Sequence, residues 1–368
     1  MNSRIPLTPP VIKSLDPLSD RPLWSVMIPA FNCSRFLIQT IQAVLTQDPG
    51  TNLMQIEVVD DHSTDANLAA VVASLGKGRV SYFRQPQNVG SLRNFETCLN
   101  RAKGHWVHIL HGDDLVKPGF YKEIEQLFRR FPEAGAAFTA HINIDEQGNE
   151  RERSRTFSAQ PALLSNWLDT IARAQRIQPP SIVVKRTVYE QLGSFYAAHY
   201  GEDWEMWVRI AAHFPVAYSP RHLGLYRLHN GNITSRSLLN GQSIQDIYTV
   251  IRLNEAHVPR EKRKEITAFA RKHSSKYFAH ASDRVYHQLH NPRKALELSL
   301  MARKMDRNLV TSFFVIKNHL KILLRYKYKH LTTQNQPPAA SVSKQAYAPV
   351  VALPSKKDDP PKKTGSMK

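Results

Sequence analysis

The run Trp106-Val-His-Ile-Leu110 gives way to His111-Gly112-Asp113-Asp114. A short apolar segment that ends on two adjacent carboxylates reads as a buried strand delivering acids to the rim of a sheet. Neighbouring carboxylates repel each other and resist burial, so a cation should meet them. A divalent metal carrying a phosphorylated ligand answers that need. One carboxylate would reach the ion, and the other a ribose hydroxyl or a water on the ion. Glu202-Asp203 is a second acidic pair, set after a glycine and before a tryptophan-rich helical stretch. It can serve as a general base that deprotonates a hydroxyl, or simply as acids favoured by a helix N-terminus.

Smaller groups complete the chemistry. Pro29, Phe31 and Asn32 offer backbone groups and an aromatic ring where a base could lie. Of Asp60 and Asp61, one suits a helix cap and the other a hydrogen bond from a base or a ribose. Arg93 opens a helical segment and can hold a diphosphate. Trp204 and Trp207 suit stacking on a sugar face, although one of them should be core. Arg227 and His229 add a cation and an imidazole that can meet a diphosphate or a metal.

These groups need a frame, and the pattern supplies one. Apolar runs at 24–29, 56–59, 80–83, 106–110 and 136–140 alternate with helical periodicity at 36–45, 66–75, 94–102 and 119–131. Such alternation predicts βαβ units and a largely parallel α/β sheet. Ligands of these sheets lie beyond the carboxyl ends of the strands, which puts the clusters at 30–32, 60–65 and 111–114 on one rim. Further strands are expected at 179–184, 216–218 and 223–227. The Ser/Thr/Asp cluster at 63–65 is expected to cap the helix that follows.

The 368 residues, 42% hydrophobic and 22% charged, allow a proper core and more than one unit. The net charge of +19 favours anionic partners, and residues 251–330 hold 19 basic against 6 acidic side chains. That charge lies on helical sequence without a nucleic-acid recognition module, so a nucleic-acid partner is not expected. Cys33 and Cys98 alone exclude a disulfide framework and fit a reducing, cytoplasmic setting. No run reaches the ~18 apolar residues of a spanning helix. Four segments result: a flexible, proline-rich leader (1–22), a catalytic domain (23–235), a basic helical extension (236–330) and a disordered tail (331–368). Within the extension, Leu309, Phe313, Ile316, Leu320, Leu323 and Leu324 trace one apolar stripe, suited to packing or to a membrane surface.

In this order, WSVMIPAFN (24–32), IEVVDDHSTD (56–65), NVGSLRN (88–94), HILHGDDLVKPG (108–119), GEDWEMWVRIA (201–211) and YRLHNGNIT (226–234) resemble glycosyltransferase family 2. The resemblance implies a GT-A fold, Rossmann-like with a mostly parallel central sheet, and an inverting, metal-dependent transfer of one sugar from a nucleotide-sugar, UDP by family frequency. It implies that Phe31 and Asp60 or Asp61 contact the base, that Arg93 lies near the nucleotide and that Asp113 meets the ribose. It further implies Asp114 as ligand to Mn2+ or Mg2+, with Asp113 and His229 beside it, and Asp203 as base with Glu202 adjacent. Trp204, Trp207 and Arg227 would face the sugar or acceptor, a hydroxyl compound such as a lipid-linked glycan at the cytoplasmic face of a membrane. Cell-surface polysaccharide or glycolipid synthesis would follow, with a catalytically inactive scaffold as the alternative. Two residues depart from the family pattern: His111 stands where an acid is common, and His62 where a small residue follows the paired acids.

Overall fold

Strand β1 (Trp24–Ala30) is buried along its whole length. Trp24, Val26 and Ile28 join the core on one face of the sheet, and Met27 the core on the other. This is the period-two alternation of a central strand covered on both sides. The computed structural model describes residues 4–16, 18–229, 241–324 and 326. The tail expected to be disordered (331–368) and the end of the catalytic segment (230–235) lie outside them.

The order continues α1 (Ser34–Leu45), β2 (Met54–Asp60), α2 (Leu68–Gly76), β3 (Ser81–Arg84), α3 (Ser91–Arg101), β4 (Trp106–Ile109), β5 (Leu115–Val116), α4 (Phe120–Arg130), β6 (Ala136–Ile144), β7 (Glu150–Arg153) and β8 (Ala162–Leu163). Then follow α5 (Trp167–Arg173), a 3₁₀ turn (Pro179–Ser181), β9 (Ile182–Lys185), α6 (Arg186–Leu192), α7 (Glu202–His213) and β10 (Val216–Arg227). One sheet takes the order β3-β2-β1-β4-β9-β6-β10-β5, with β7 on β6 and β8 on β10. Its first four strands are parallel. Beyond them β9 runs antiparallel to both β4 and β6, so the sheet becomes mixed.

Helices α1, α2 and α4 cover one face through Leu37, Ile41, Val72, Ile124 and Leu127. The other face carries α3, α5 and α7, and its core runs on into the C-terminal helices α8 (Gln242–His257), α9 (Arg263–His287), α10 (Pro292–Met305) and α11 (Leu309–Leu323) through Ile244, Val250, Phe278, Leu298 and Phe314. Among the described residues, no helix is long and apolar enough to cross a membrane.

Three local expectations are corrected. The segments at 216–218 and 223–227 are one strand, β10, kept continuous past Pro220 by two register shifts against β6. The start of the run 179–184 is the 3₁₀ turn, as its two prolines dictate. The cap of α2 is Asn67, whose side chain accepts from Ala70 N, and not the cluster at 63–65.

The described part of the leader, 4–16, is not loose. Pro6 O accepts from Ala197 N at 2.8 Å and Pro10 O from Ser194 N at 2.8 Å. Arg186, fully buried, donates to Lys13 O at 2.7 Å and to Leu99 O at 2.6 Å. Ile12 is buried in the core. Prolines have no N–H to satisfy, so Pro6 and Pro10 dock through their carbonyls, while Lys13 N donates to Asn100 Oδ1 at 3.2 Å. Gly193 makes the approach possible: its φ is 79°, and a Cβ there would stand 2.8 Å from Pro10 O and 2.9 Å from Pro9 Cβ. Gly193→Ala is expected to cost about 2–4 kcal/mol. It should lower the thermal midpoint and open residues 4–16 to protease; an unchanged digestion pattern would show that this docking does not depend on the glycine.

Candidate active site

The rim forms because three strands end together. Ala30 lies abreast of Asp60 across β1 and β2. Asp61 N donates to Ala30 O at 2.8 Å, and Gly112 N to Pro29 O at 3.0 Å. Gly112 allows the close approach: a Cβ would meet Cys33 Sγ at 2.8 Å and Pro29 O at 3.3 Å, so the thiol would have to shift. The three sequence clusters are thereby brought side by side.

Within them the two acids at the end of β2 are engaged by the protein itself. Asp60, fully buried, accepts from Ser63 N at 2.9 Å, Tyr82 Oη at 2.7 Å and Arg84 Nη1 at 3.3 Å. Asp61 accepts from Asn88 Nδ2 and Val89 N at 2.7 Å and from Gly90 N at 2.9 Å. Desolvation still pushes the Asp61 carboxyl up, although these backbone bonds oppose it. Both side chains therefore fix loops, and neither serves α2 as a cap. Arg4, from the N-terminal segment, donates to Asn88 Oδ1 beside them. Nothing in the leader's composition marked that arginine for the rim.

Pro29 is buried within β1, whereas Phe31 is 42% exposed and is the aromatic that the rim presents to solvent. Asn32 takes φ 49°, and its side chain accepts from Thr64 N at 2.8 Å. His62 takes φ 64°. That left-handed backbone explains why a small residue is common there, and the histidine tolerates it with Nδ1 3.1 Å from Gln85 O. Arg93 pairs with Glu96 at 2.6 Å, one turn along α3.

Beyond β4, Asp113 and Asp114 occupy different environments. Asp114 is 1% exposed; Oδ1 accepts from Arg227 N at 2.8 Å, and Oδ2 has no hydrogen-bond partner among the described residues. Desolvation, reinforced by Asp113, drives its carboxyl well above the usual range. The Asp113 side chain is 26% exposed and lies 2.9 Å from His229 Nε2. Burial pushes Asp113 up, but the His229 hydrogen bond and the nearby imidazoles hold it below the ordinary value.

His111 stacks on Phe95, with ring centroids 5.2 Å apart and planes at 8°, and its Nδ1 stands 4.0 Å from Asp114 Oδ2. Desolvation lowers its pKa and favours the neutral imidazole, whose nitrogen is a ligand. One donor atom from each of His111, Asp113 and Asp114 falls within 4.8 Å of the others. Two carboxylates, an imidazole and a buried orphan oxygen suit a divalent cation.

Arg227 is not a sugar contact. It is 1% exposed, and its guanidinium donates to Asp113 O at 2.7 Å, Glu146 O at 3.0 Å, Asp145 O at 3.2 Å and Gln39 Oε1 at 2.7 Å. With its donors engaged by the protein, it holds the acidic turn in place. His229 also packs against Phe36, with centroids 4.8 Å apart.

Glu202 and Asp203 begin α7, which Gly201 admits at φ 87°. Asp203 Oδ2 accepts from Gln175 Nε2 at 2.6 Å, and Oδ1 from Trp204 N at 2.7 Å. Desolvation pushes Asp203 up to about 6. Glu202, 8% exposed, is raised well above its usual range by burial and then by Asp203. Gln175 is a partner without any local signal in the sequence, since it comes from the turn after α5. Trp204 is core: it is 2% exposed and its Nε1 donates to Ile171 O at 2.6 Å. Trp207 is likewise buried, but its Nε1 has no partner among the described residues. It lines a narrow cavity of about 10 Å³, together with Phe95, His111, Phe195, Glu202 and Asp203. The cavity joins the acidic turn to the carboxyls of α7.

Known proteins share this frame. Residues 25–192 match the model of glycosyl transferase family 2. The chondroitin synthase of Escherichia coli is 28% identical over 130 residues, which make up 35% of this chain and 18% of that one. S. aureus TarS 1–349 in complex with UDP-GlcNAc superposes with a TM-score of 0.59 at 16% identity, over 83% of this chain and 93% of that one. The mannosyltransferase PcManGT of Pyrobaculum calidifontis, in complex with GDP-Man and Mn2+, does so at 0.53 and 17%, over 93% and 87%. These two likenesses are of fold. The family match over residues 25–192, the glycosyltransferase relatives and the motifs gathered on the rim together support a transferase of glycosyl transferase family 2.

Proposed function

We propose that the protein is an inverting transferase that moves one sugar from a nucleotide-sugar, read as a UDP-sugar, to a hydroxyl acceptor in polysaccharide or glycolipid synthesis. The observation that carries this reading is that His111 of the acidic turn and Asp203 line the same narrow cavity. The nucleotide assignment leans on TarS, whose structure holds UDP-GlcNAc. The acceptor class leans on the chondroitin synthase.

Asp203 is the base. Its carboxylate takes the acceptor proton as the acceptor oxygen bonds to the anomeric carbon. The bond from that carbon to the diphosphate breaks, and the electron pair leaves with the nucleotide. Attack and departure on opposite faces invert the centre. Gln175 fixes the carboxylate, while burial places its pKa near the working range of a base. Phe31 offers a face to the base, and Arg93 a cation near the nucleotide.

Asp113, the more open of the two acids, is the principal ligand for Mn2+ or Mg2+, with His111 and the free oxygen of Asp114 completing the set. This reverses the expected division between Asp113 and Asp114, because Asp114 is buried and committed to Arg227 N. A divalent ion held by that set would supply positive charge to offset that of the diphosphate.

Asp203→Asn should lower kcat by about 10²–10⁴-fold with the thermal midpoint retained. In the wild type, kcat/KM should fall as pH drops through about 6, because Asp203 must be ionised to act. A flat profile from pH 5 to 8 would remove Asp203 from the role. For the metal, calorimetric titration in the presence of UDP should give tighter binding of Mn2+ than of Mg2+, since an imidazole donor suits the softer ion. His111→Asp should narrow that preference, and Asp113→Ala should abolish binding. Equal affinities for the two ions in the wild type would remove His111 from the ligand set.

A further inference from the structure

Helix α11 is turned inside out relative to an ordinary surface helix. It buries Thr311, Phe314, Val315 and Asn318, while Leu309, Phe313, Ile316, Leu320, Leu323 and Leu324 are 90%, 58%, 59%, 50%, 77% and 72% exposed. Surface helices place their large apolar residues inward, and a contiguous apolar row left outside marks a contact surface. The rotation of the helix is fixed. Asn318, fully buried, donates to Ser282 Oγ at 3.0 Å and Ala295 O at 3.3 Å. Phe314 packs edge-on to His280 at 4.7 Å. At its start, Asn308 and Thr311 form a reciprocal capping box. The helix therefore cannot turn its leucines inward without breaking buried hydrogen bonds.

Charge decides what covers this face. Lys317 and Lys321 flank it, both reaching Asp283, and Arg303, Lys304 and Arg307 lie exposed around its N-terminal end. From Arg307 to Lys357 the sequence holds 9 lysines and arginines and no aspartate or glutamate. A second copy would bring a like-charged surface against it, which is repulsive. A bilayer carrying anionic headgroups offers apolar depth for the row and negative charge for its flanks. We propose that α11 lies in the plane of an anionic membrane surface, with Phe313, Ile316, Leu320 and Leu324 entering the headgroup and acyl boundary. The inference stands apart from the reading of the catalytic residues and would hold whichever sugar is transferred.

The test uses the full chain and vesicle flotation, with neutral phosphatidylcholine compared with vesicles containing about 30% phosphatidylglycerol. The wild type should partition onto the anionic vesicles at least about tenfold more strongly, since each basic residue near the surface contributes roughly fivefold. About 0.5 M salt should weaken the binding. Phe313→Ser with Leu320→Ser should reduce it at least about tenfold with an unchanged thermal midpoint, because both side chains are already exposed. Absence of binding to anionic vesicles overturns the proposal, as does equal binding by the double variant. Sedimentation velocity showing a dimer that the same substitutions dissociate would give the face to a second copy instead.

Discussion

The site depends on a guanidinium buried behind two adjacent carboxylates. Two ionised carboxylates repel by about 4 kcal/mol at ~4 Å and an effective dielectric of about 20, and here the charge of Asp113 adds to desolvation in pushing the Asp114 carboxyl up. Arg227 makes that arrangement tolerable, and it does so largely through the backbone. Its side chain binds the carbonyls of Asp113, Asp145 and Glu146, while its own N–H reaches Asp114. One cation thus ties the end of β10 to the turn after β4 and to the turn before β7. The dependence is mutual. A guanidinium with 1% exposure is itself costly without negative charge nearby, so the acids and the arginine retain each other. Asp113 is left partly open, and Asp114 closed.

A second constraint is register. The rim clusters converge only because β1, β2 and β4 are parallel, with β1 and β2 ending abreast and β4 ending at Ile109, three residues earlier in the register. A one-residue slip would turn every side chain to the opposite face. Gly112 and the left-handed Asn32 and His62 are local consequences of that convergence, since three chains must turn away from one edge in a small space.

These constraints explain what could be read in advance. Strands that end in acids, and their alternation with helices, are written in short-range pattern, so the rim and its members were legible. Direction was not. Trp204 looks like a sugar platform because tryptophan is amphipathic, yet most of α7 is enclosed between the sheet and the C-terminal helices, and the indole finds a carbonyl there. Asp61 looks free beside a helix start until Asn88, Val89 and Gly90 close on it from 27 or more residues away. The proline-rich leader reads as loose because its docking rests largely on backbone groups, which carry no side-chain signature. On α11 the apolar stripe was visible, but a stripe carries no sign for inside or outside; Asn318 sets it, through partners on α9 and α10.

His111 gathers these strands into one electrostatic argument. In the metal-bound form that the proposed function requires, Asp113 and Asp114 would both be ionised, and with Arg227 charged and the His111 imidazole kept neutral by desolvation these side chains sum to one net negative charge. An acid at position 111 would make it two. Add a divalent cation, as the proposed function requires, and the present site becomes net positive by one, whereas the acidic version would be neutral. A diphosphate brings negative charge that must be held in the donor complex and held more strongly as the leaving group forms. The histidine therefore gains attraction for the leaving group while keeping a nitrogen donor for the ion. Its stacking on Phe95 orients the ring, and desolvation keeps it neutral beside the two carboxylates.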